Sequence, residues 1–172
     1  MQMRRKLSTR CKLLTAAFVL VVSAAVVSAG GAAAPNVEMR GVKGVRVRLA
    51  DFRGKVVIVK LWASWCPDCR AAFPKLDALH REYRERGVEV IAVSLDERQK
   101  DAEAFLATRP HELRVMFDPN AKVLKAFGAP GVPYSYVIDR HGTIRFSHEG
   151  YDDTTEASYR RELDALLAEQ PS

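Results

Sequence analysis

Cysteine is scarce in this chain: 172 residues hold three, Cys11, Cys66 and Cys69. Three thiols exclude the multi-bridge framework of a small secreted disulfide scaffold. Acidic residues are missing before Glu38, whereas Arg4, Arg5, Lys6, Arg10 and Lys12 crowd the first dozen positions. Taking those five from the 27 Lys/Arg leaves 22 against 21 Asp/Glu, so the +6 formal charge resides almost wholly at the start. The remainder is near neutral and has no cluster of unmatched cations to hold phosphates, which excludes nucleic acid as a partner. The four histidines, His80, His111, His141 and His148, show no paired spacing, so no metal site is expected. Internal repeats are absent.

The cationic start runs into an uncharged stretch from Leu13 to Asn36, rich in Ala, Val and Leu, with small residues gathered at Val27-Ser28-Ala29-Gly30. This is the layout of a signal peptide cut after Ala29. The stretch is also long enough for an uncleaved membrane anchor. Both alternatives place the rest of the chain outside the cytoplasm, because the positive end stays inside. Residues 1–30 are therefore expected to be a signal peptide or membrane anchor, 31–41 a linker, and 42–172 one folded domain. Cys11 falls in the targeting segment. The exported part keeps a single Cys-x-x-Cys pair, and a loop that short removes little entropy from the unfolded chain. Chemistry explains such a pair better than stapling does.

Hydrophobic periodicity gives the elements. Val45, Val47 and Leu49 alternate with Arg46 and Arg48 as in a half-exposed strand. Val56–Trp62 is β-branched and almost wholly apolar, the mark of a strand covered on both faces, and Lys60 is its one misfit. A helix follows Cys66, carrying Phe73, Leu76, Leu79 and Tyr83 and stopping at Gly87, with Pro74 inside as a source of kinking. Strands are expected at 88–94, 113–117, 134–138 and 143–147, and helices at 102–107, 120–127 and 156–168. Asp139-Arg140-His141-Gly142 signals a hairpin. The order implies an α/β domain with a mixed sheet and helices on both faces.

The passage from Gly54 to Arg70, with Trp62-Ala63-Ser64-Trp65-Cys66-Pro67-Asp68-Cys69 at its centre, resembles the TlpA/ResA-like exported thioredoxins. The resemblance continues through Pro74 and through Gly131-Val132-Pro133 ahead of the strand at Tyr134, and covers roughly residues 40–168. It implies a thioredoxin fold with an N-terminal extension strand and a central βα insertion. It also implies a cis Pro133 facing the cysteines, with the backbone of Val132 free to pair with an extended substrate segment. Tyr134 and Ser135 would line the same docking edge. Protein thiols and disulfides would be the substrates, apocytochrome c cysteines among them, and a membrane thiol the electron donor. The protein would work as a monomer, tethered if the anchor stays. No cofactor is expected beyond the redox-active pair Cys66–Cys69.

Elementary chemistry supports the same roles. Exchange needs a thiolate, a second sulfur in reach and access for a partner. Cys66 at a helix N-terminus faces unpaired N–H groups and the positive end of the dipole, which lowers its pKa below the roughly 8.5 of a free thiol. Cys66 is therefore expected to be the nucleophile and Cys69, a turn deeper, the resolving thiol. Pro67 suits the first turn, where its missing donor costs nothing. Trp65 would shield the site and offer an apolar contact, while Asp68 would oppose a second negative charge beside it. Two positions depart from the family. Lys60 stands where relatives carry Asp or Asn, and Ala72 where many carry Glu, so no acid occupies either proton-transfer position. Lys60 could hold a thiolate by its charge, or pack its stem in the sheet and send its ammonium out to water; the second is the expectation.

Other chemistries fit less well. Haem attachment needs His after the second cysteine, and position 70 is Arg. A peroxiredoxin-like antioxidant enzyme would need Pro-x-x-x-Thr/Ser ahead of Cys66, and that pattern is missing. A non-catalytic, membrane-tethered binding module with a vestigial disulfide is the alternative from another class.

Overall fold

The computed structural model describes residues 31–169, so the segment read as a signal peptide or anchor lies outside the described residues. In chain order the elements are β1 (Glu38–Gly41), β2 (Arg46–Arg48), β3 (Val56–Trp62), α1 (Pro67–Tyr83), β4 (Val88–Ser94), α2 (Gln99–Ala107), β5 (Arg114–Phe117), α3 (Lys122–Phe127), β6 (Tyr134–Ile138), β7 (Ile144–Glu149) and α4 (Asp153–Ala168). The strands form one mixed sheet in the order β2-β1-β5-β4-β3-β6-β7.

The two β-branched runs sit at its centre because they alone can be buried on both faces. β3 and β4 pair in parallel, from Val56 opposite Val88 to Trp62 opposite Ser94. On the far side β3 pairs antiparallel with β6, Lys60 opposite Ser135 and Leu61 opposite Tyr134. Alternate residues then feed two cores. Val56, Ile58 and Trp62 face Leu76 and Leu79 of α1, Phe105 of α2, and Tyr159 and Leu163 of α4. Val57, Val59 and Leu61 face the other way, against Val123 of α3, Leu49 and Phe52. Each such apolar side chain contributes about 1.5–3 kcal/mol on burial, so the site rests on deeply buried strands.

Helix α1 starts where its sequence says it should. Cys66 is the N-cap and Pro67 the first helical residue. Pro74 lies within the helix without ending it, and Gly87 closes the following 3-10 turn in the left-handed conformation, φ 92°. β3, β4 and β6 match their expected bounds, and the remaining elements begin within a few residues of theirs.

The stretch 31–41 is not a free linker. Ala34 N–H donates to the Gly142 carbonyl and Ile144 N–H to that of Ala32, both at 2.9 Å. Glu38–Gly41 forms strand β1, which bridges β2 and β5. Its brief alternation, with Met39 and Gly41 inward and Glu38 and Arg40 outward, is too short to stand out from a small-residue background.

Helix α3 matters because it leads into the loop carrying Pro133. Its free N–H groups are collected by the buried carboxylate of Asp118, which accepts from Lys122 at 2.8 Å, Val123 at 2.7 Å and Leu124 at 3.3 Å. Replacing Asp118 with Ala strands three donors, and the loss of stability is expected to be about 2 kcal/mol. Urea denaturation measures it directly; an unchanged midpoint would remove Asp118 from this role.

Candidate active site

Cys66 and Cys69 form a disulfide, with their Cα atoms 5.2 Å apart. The pair sits at the carboxyl end of β3, on the opening turn of α1. The Cys66 sulfur accepts the Cys69 N–H at 3.2 Å, so an orphan donor of the helix start already points at it. Cys69 is 2% exposed and Cys66 5%. What reaches solvent is the rim, where Trp65 stands 66% exposed and Pro67 and Asp68 are open. The outer sulfur is therefore approachable only from this side.

The Val132–Pro133 peptide is cis, as the family resemblance implies. An open cleft of about 300 Å³ brings Val132, Pro133 and Tyr134 together with Asp68 of the helix start and Gly150 of the turn after β7. Among the described residues, neither the Val132 N–H nor its carbonyl has a hydrogen-bond partner. An unpaired, accessible peptide group beside a sheet edge is ready to pair with an extended chain. Tyr134 is part of this wall, and its ring meets that of Tyr136 in a tilted arrangement at 5.1 Å. Ser135 is not. It is fully buried, bonded to the Tyr159 hydroxyl, because strand alternation turns it toward α4.

One support of the site could not be read from the sequence. The buried carboxylate of Asp96, just past β4, accepts the Ser64 N–H at 3.0 Å and the Ser64 hydroxyl at 2.6 Å, and is held by Ser94 Oγ at 2.7 Å. Ser64 begins the turn that presents Trp65 and Cys66, so Asp96 clamps that turn from the neighbouring strand. The only signal is an acid two residues past an apolar strand, and many surface loops share it.

Lys60 overturns its expectation. It is 1% exposed and its ammonium does not reach water. Nζ donates to the Gly150 carbonyl at 3.1 Å and lies 5.3 Å from the centre of the Tyr151 ring. Snorkelling fails because β3 lies inside the sheet and α1 and α4 cover that face. Burial without a carboxylate pulls its pKa down from 10.5 to about 7. Ala72, on the inward side of α1, is fully buried, so that position brings no acid to the site and Lys60 brings a base to the strand before it.

His80, His111, His141 and His148 stay dispersed, and among the described residues no three His, Cys, Asp or Glu side chains are placed to hold a metal ion. A larger hollow of about 470 Å³ lies at the far end of α1, lined by Lys55, His80, Glu89 and Arg114 among others. Its charges satisfy one another, Glu89 meeting Lys55 at 3.4 Å and Arg114 at 2.7 Å.

Residues 28–165 match the family model described as Redoxin. Over 114 residues the chain is 32% identical to the thiol-disulfide oxidoreductase ResA of Bacillus thuringiensis subsp. konkukian, covering 66% of each chain. It is 31% identical over 115 residues to ResA of Geobacillus thermodenitrificans, covering 67% of this chain and 66% of that one. The match thus spans about two thirds of the length of these relatives. A Chlorobium tepidum protein assigned as the thiol:disulfide interchange protein DsbE superposes with a TM-score of 0.77 at 36% identity, over 80% of this chain and 97% of the other. That architecture is the thioredoxin fold.

The buried charges around the pair lead to two expected outcomes. Asp96→Ala leaves the Ser64 N–H and the Ser94 hydroxyl unsatisfied and is expected to cost about 2 kcal/mol, measured by denaturant unfolding. Lys60→Met should do the opposite at low pH. Folded Lys60 releases its proton near pH 7, whereas the unfolded chain keeps it to about 10.5, so this residue's contribution to stability rises with pH across that window. Below pH 7 the penalty is on the order of 5 kcal/mol before its hydrogen bond is counted. Melting curves should therefore show Lys60→Met above wild type at pH 6, with the gap closing toward pH 10; a gap independent of pH would contradict the buried-charge assignment.

Proposed function

We propose, from the premise that the chain belongs to the redoxin family, that it is a thiol–disulfide oxidoreductase acting on protein disulfides outside the cytoplasm. The observation that carries this is the conjunction at one rim: a Cys66–Cys69 disulfide on the first turn of α1, and an unpaired Val132 peptide group in a cleft shared with Asp68.

The chemistry runs in two exchanges. In the reduced protein the Cys66 thiolate attacks one sulfur of a substrate disulfide, and the substrate's other sulfur leaves as a thiolate that takes up a proton. Cys66 is the nucleophile because the helix start turns N–H groups toward its sulfur and because it sits nearer the rim. Cys69 then loses its proton and attacks the Cys66 sulfur, breaking the mixed disulfide and freeing the second substrate thiol. Two electrons have passed to the substrate, and the Cys66–Cys69 disulfide remains. A thiol donor must then restore the dithiol. No cofactor enters either step. Val132 pairs with the substrate backbone, Tyr134 and exposed Trp65 supply apolar contact, and Pro67 and Pro133 shape the two sides of the cleft. Asp68 opposes anionic substrates at its mouth.

Location and partners follow from the N-terminal segment and the family. The cationic, then apolar, opening supports export with or without a retained tether, and a membrane thiol is the donor this implies. Oxidised apocytochrome c is the substrate suggested by the resemblance to TlpA/ResA-like proteins. The protein acts as a monomer.

The purified domain is expected to reduce insulin with a dithiol donor. Cys66→Ser should abolish turnover, and Cys69→Ser should accumulate the mixed disulfide, visible as a covalent adduct on a non-reducing gel. Turnover surviving in Cys66→Ser eliminates the nucleophile assignment, and no turnover in wild type with any dithiol favours a binding module. A reduction potential near −270 mV supports a reductant, one near −120 mV an oxidant.

A further inference from the structure

The turn after β7 meets the docking cleft through a single chain of bonds. Gly150 N–H donates to the Pro133 carbonyl at 2.8 Å, and the Gly150 carbonyl accepts from Lys60 Nζ at 3.1 Å. Both Gly150 and Pro133 line the cleft, together with Val132 and Asp68. Gly150 adopts φ +77°, a left-handed conformation that glycine takes without penalty and that turns its carbonyl into the core. We infer that Lys60 is a buried positioning residue: through Gly150 its charge holds the Pro133 side of the cleft, so that substrate docking depends on the protonation of a lysine that never touches substrate. This rests on the proposed use of that cleft.

The geometry isolates the coupling. Lys60 Nζ has three donors and, among the described residues, a single hydrogen-bonded acceptor, the Gly150 carbonyl, with the Tyr151 ring as its other electron-rich neighbour. A charged donor makes the stronger bond, so the wall is held firmly when Lys60 is protonated and more loosely when it is neutral. The other groups on this face do not take over. Ser135 of β6 faces Lys60 across the strands and is occupied by Tyr159 of α4. Burial raises the Tyr151 and Tyr159 phenols far above neutrality, so both stay uncharged. Lys75 of α1 shares the Tyr151 ring at 6.0 Å but is paired with Asp153 and Glu156 of α4. Cys66, the N-cap of α1, and Cys69 do not titrate while bonded to each other, so the oxidised protein isolates Lys60 from them. His148 of β7, bonded to Glu162 at 2.8 Å, is the remaining base on that face among the described residues, and its ring protons report it separately.

Two measurements test this. In the oxidised wild-type protein, NMR titration of the Lys60 Cε signal is expected to show a midpoint near neutrality, with the Gly150 and Tyr134 amides moving at the same midpoint. A Lys60 midpoint near that of a free lysine, or amides that ignore it or follow only His148, overturns the inference. This experiment needs no turnover, so it stands even if insulin reduction fails and the oxidoreductase proposal falls with it. In the active protein, KM for insulin should rise roughly fivefold from pH 6 to pH 8.5, the lower end of ordinary site-to-site coupling. Lys60→Met should make KM flat across that range while kcat keeps its thiol-driven rise. A wild-type KM that does not change, or a Lys60→Met profile parallel to wild type, also overturns it. Should Lys60→Met fail to fold, the wild-type titration decides alone.

Discussion

The position of both sulfurs depends on one cluster of three aromatic rings. Trp62 ends β3, Phe73 lies on the second turn of α1 and Phe105 on α2, and their ring centroids stand 5.1, 5.3 and 5.5 Å apart in tilted and edge-on arrangements. Such pairs add about 0.5–1.5 kcal/mol each beyond their burial, and they also fix orientation. With Phe73 locked against the end of the strand, the preceding turn of α1 has one place to go. It puts Cys69 against the sheet and Cys66 at the rim, four residues beyond Trp62. Asp96 completes the arrangement by holding the Ser64 turn that joins strand to helix. The site is thus a consequence of the core, and the rim needs only the right two thiols.

Much of this is legible in the sequence because the strongest local signals happen to be the ones that place the site. Val56–Trp62 and Val88–Ser94 are runs of β-branched residues that no helix would prefer, and they form the two central strands with the expected bounds. Pro67 marks the start of α1, and Gly87 closes the 3-10 turn that follows it, through backbone preferences that need no tertiary context. The features that the sequence hides lack such local causes. β1 has four residues and makes sense only as the bridge between β2 and β5. Asp96 and Asp118 serve backbone donors on other segments, and a carboxylate in a loop looks the same whether it binds water or a neighbouring N–H. Nearness in sequence to Pro133 suggests Ser135 for the docking edge, whereas the period of two sends it to the opposite side of the wall.

Lys60 shows the same limit from the other direction. Its misfit in an apolar strand is visible in the sequence, and the distance to the nearest water is not. A lysine stem can carry its charge out of a narrow sheet or a lone helix. Here β4 and β6 flank the strand and α1 and α4 roof it. The charge is therefore trapped, with a carbonyl and an aromatic face as its neighbours, and burial pulls its pKa down.

A trapped base changes the electrostatics of the layer behind the disulfide. Lys60 and the two cysteines share the face of the sheet covered by α1, a layer of low dielectric in which charges are felt more strongly than at the surface. The Lys60 ammonium is bonded to Gly150 on the far side of the cleft wall. The residue of β3 that departs from the family pattern is thus tied to the docking edge through a single backbone carbonyl.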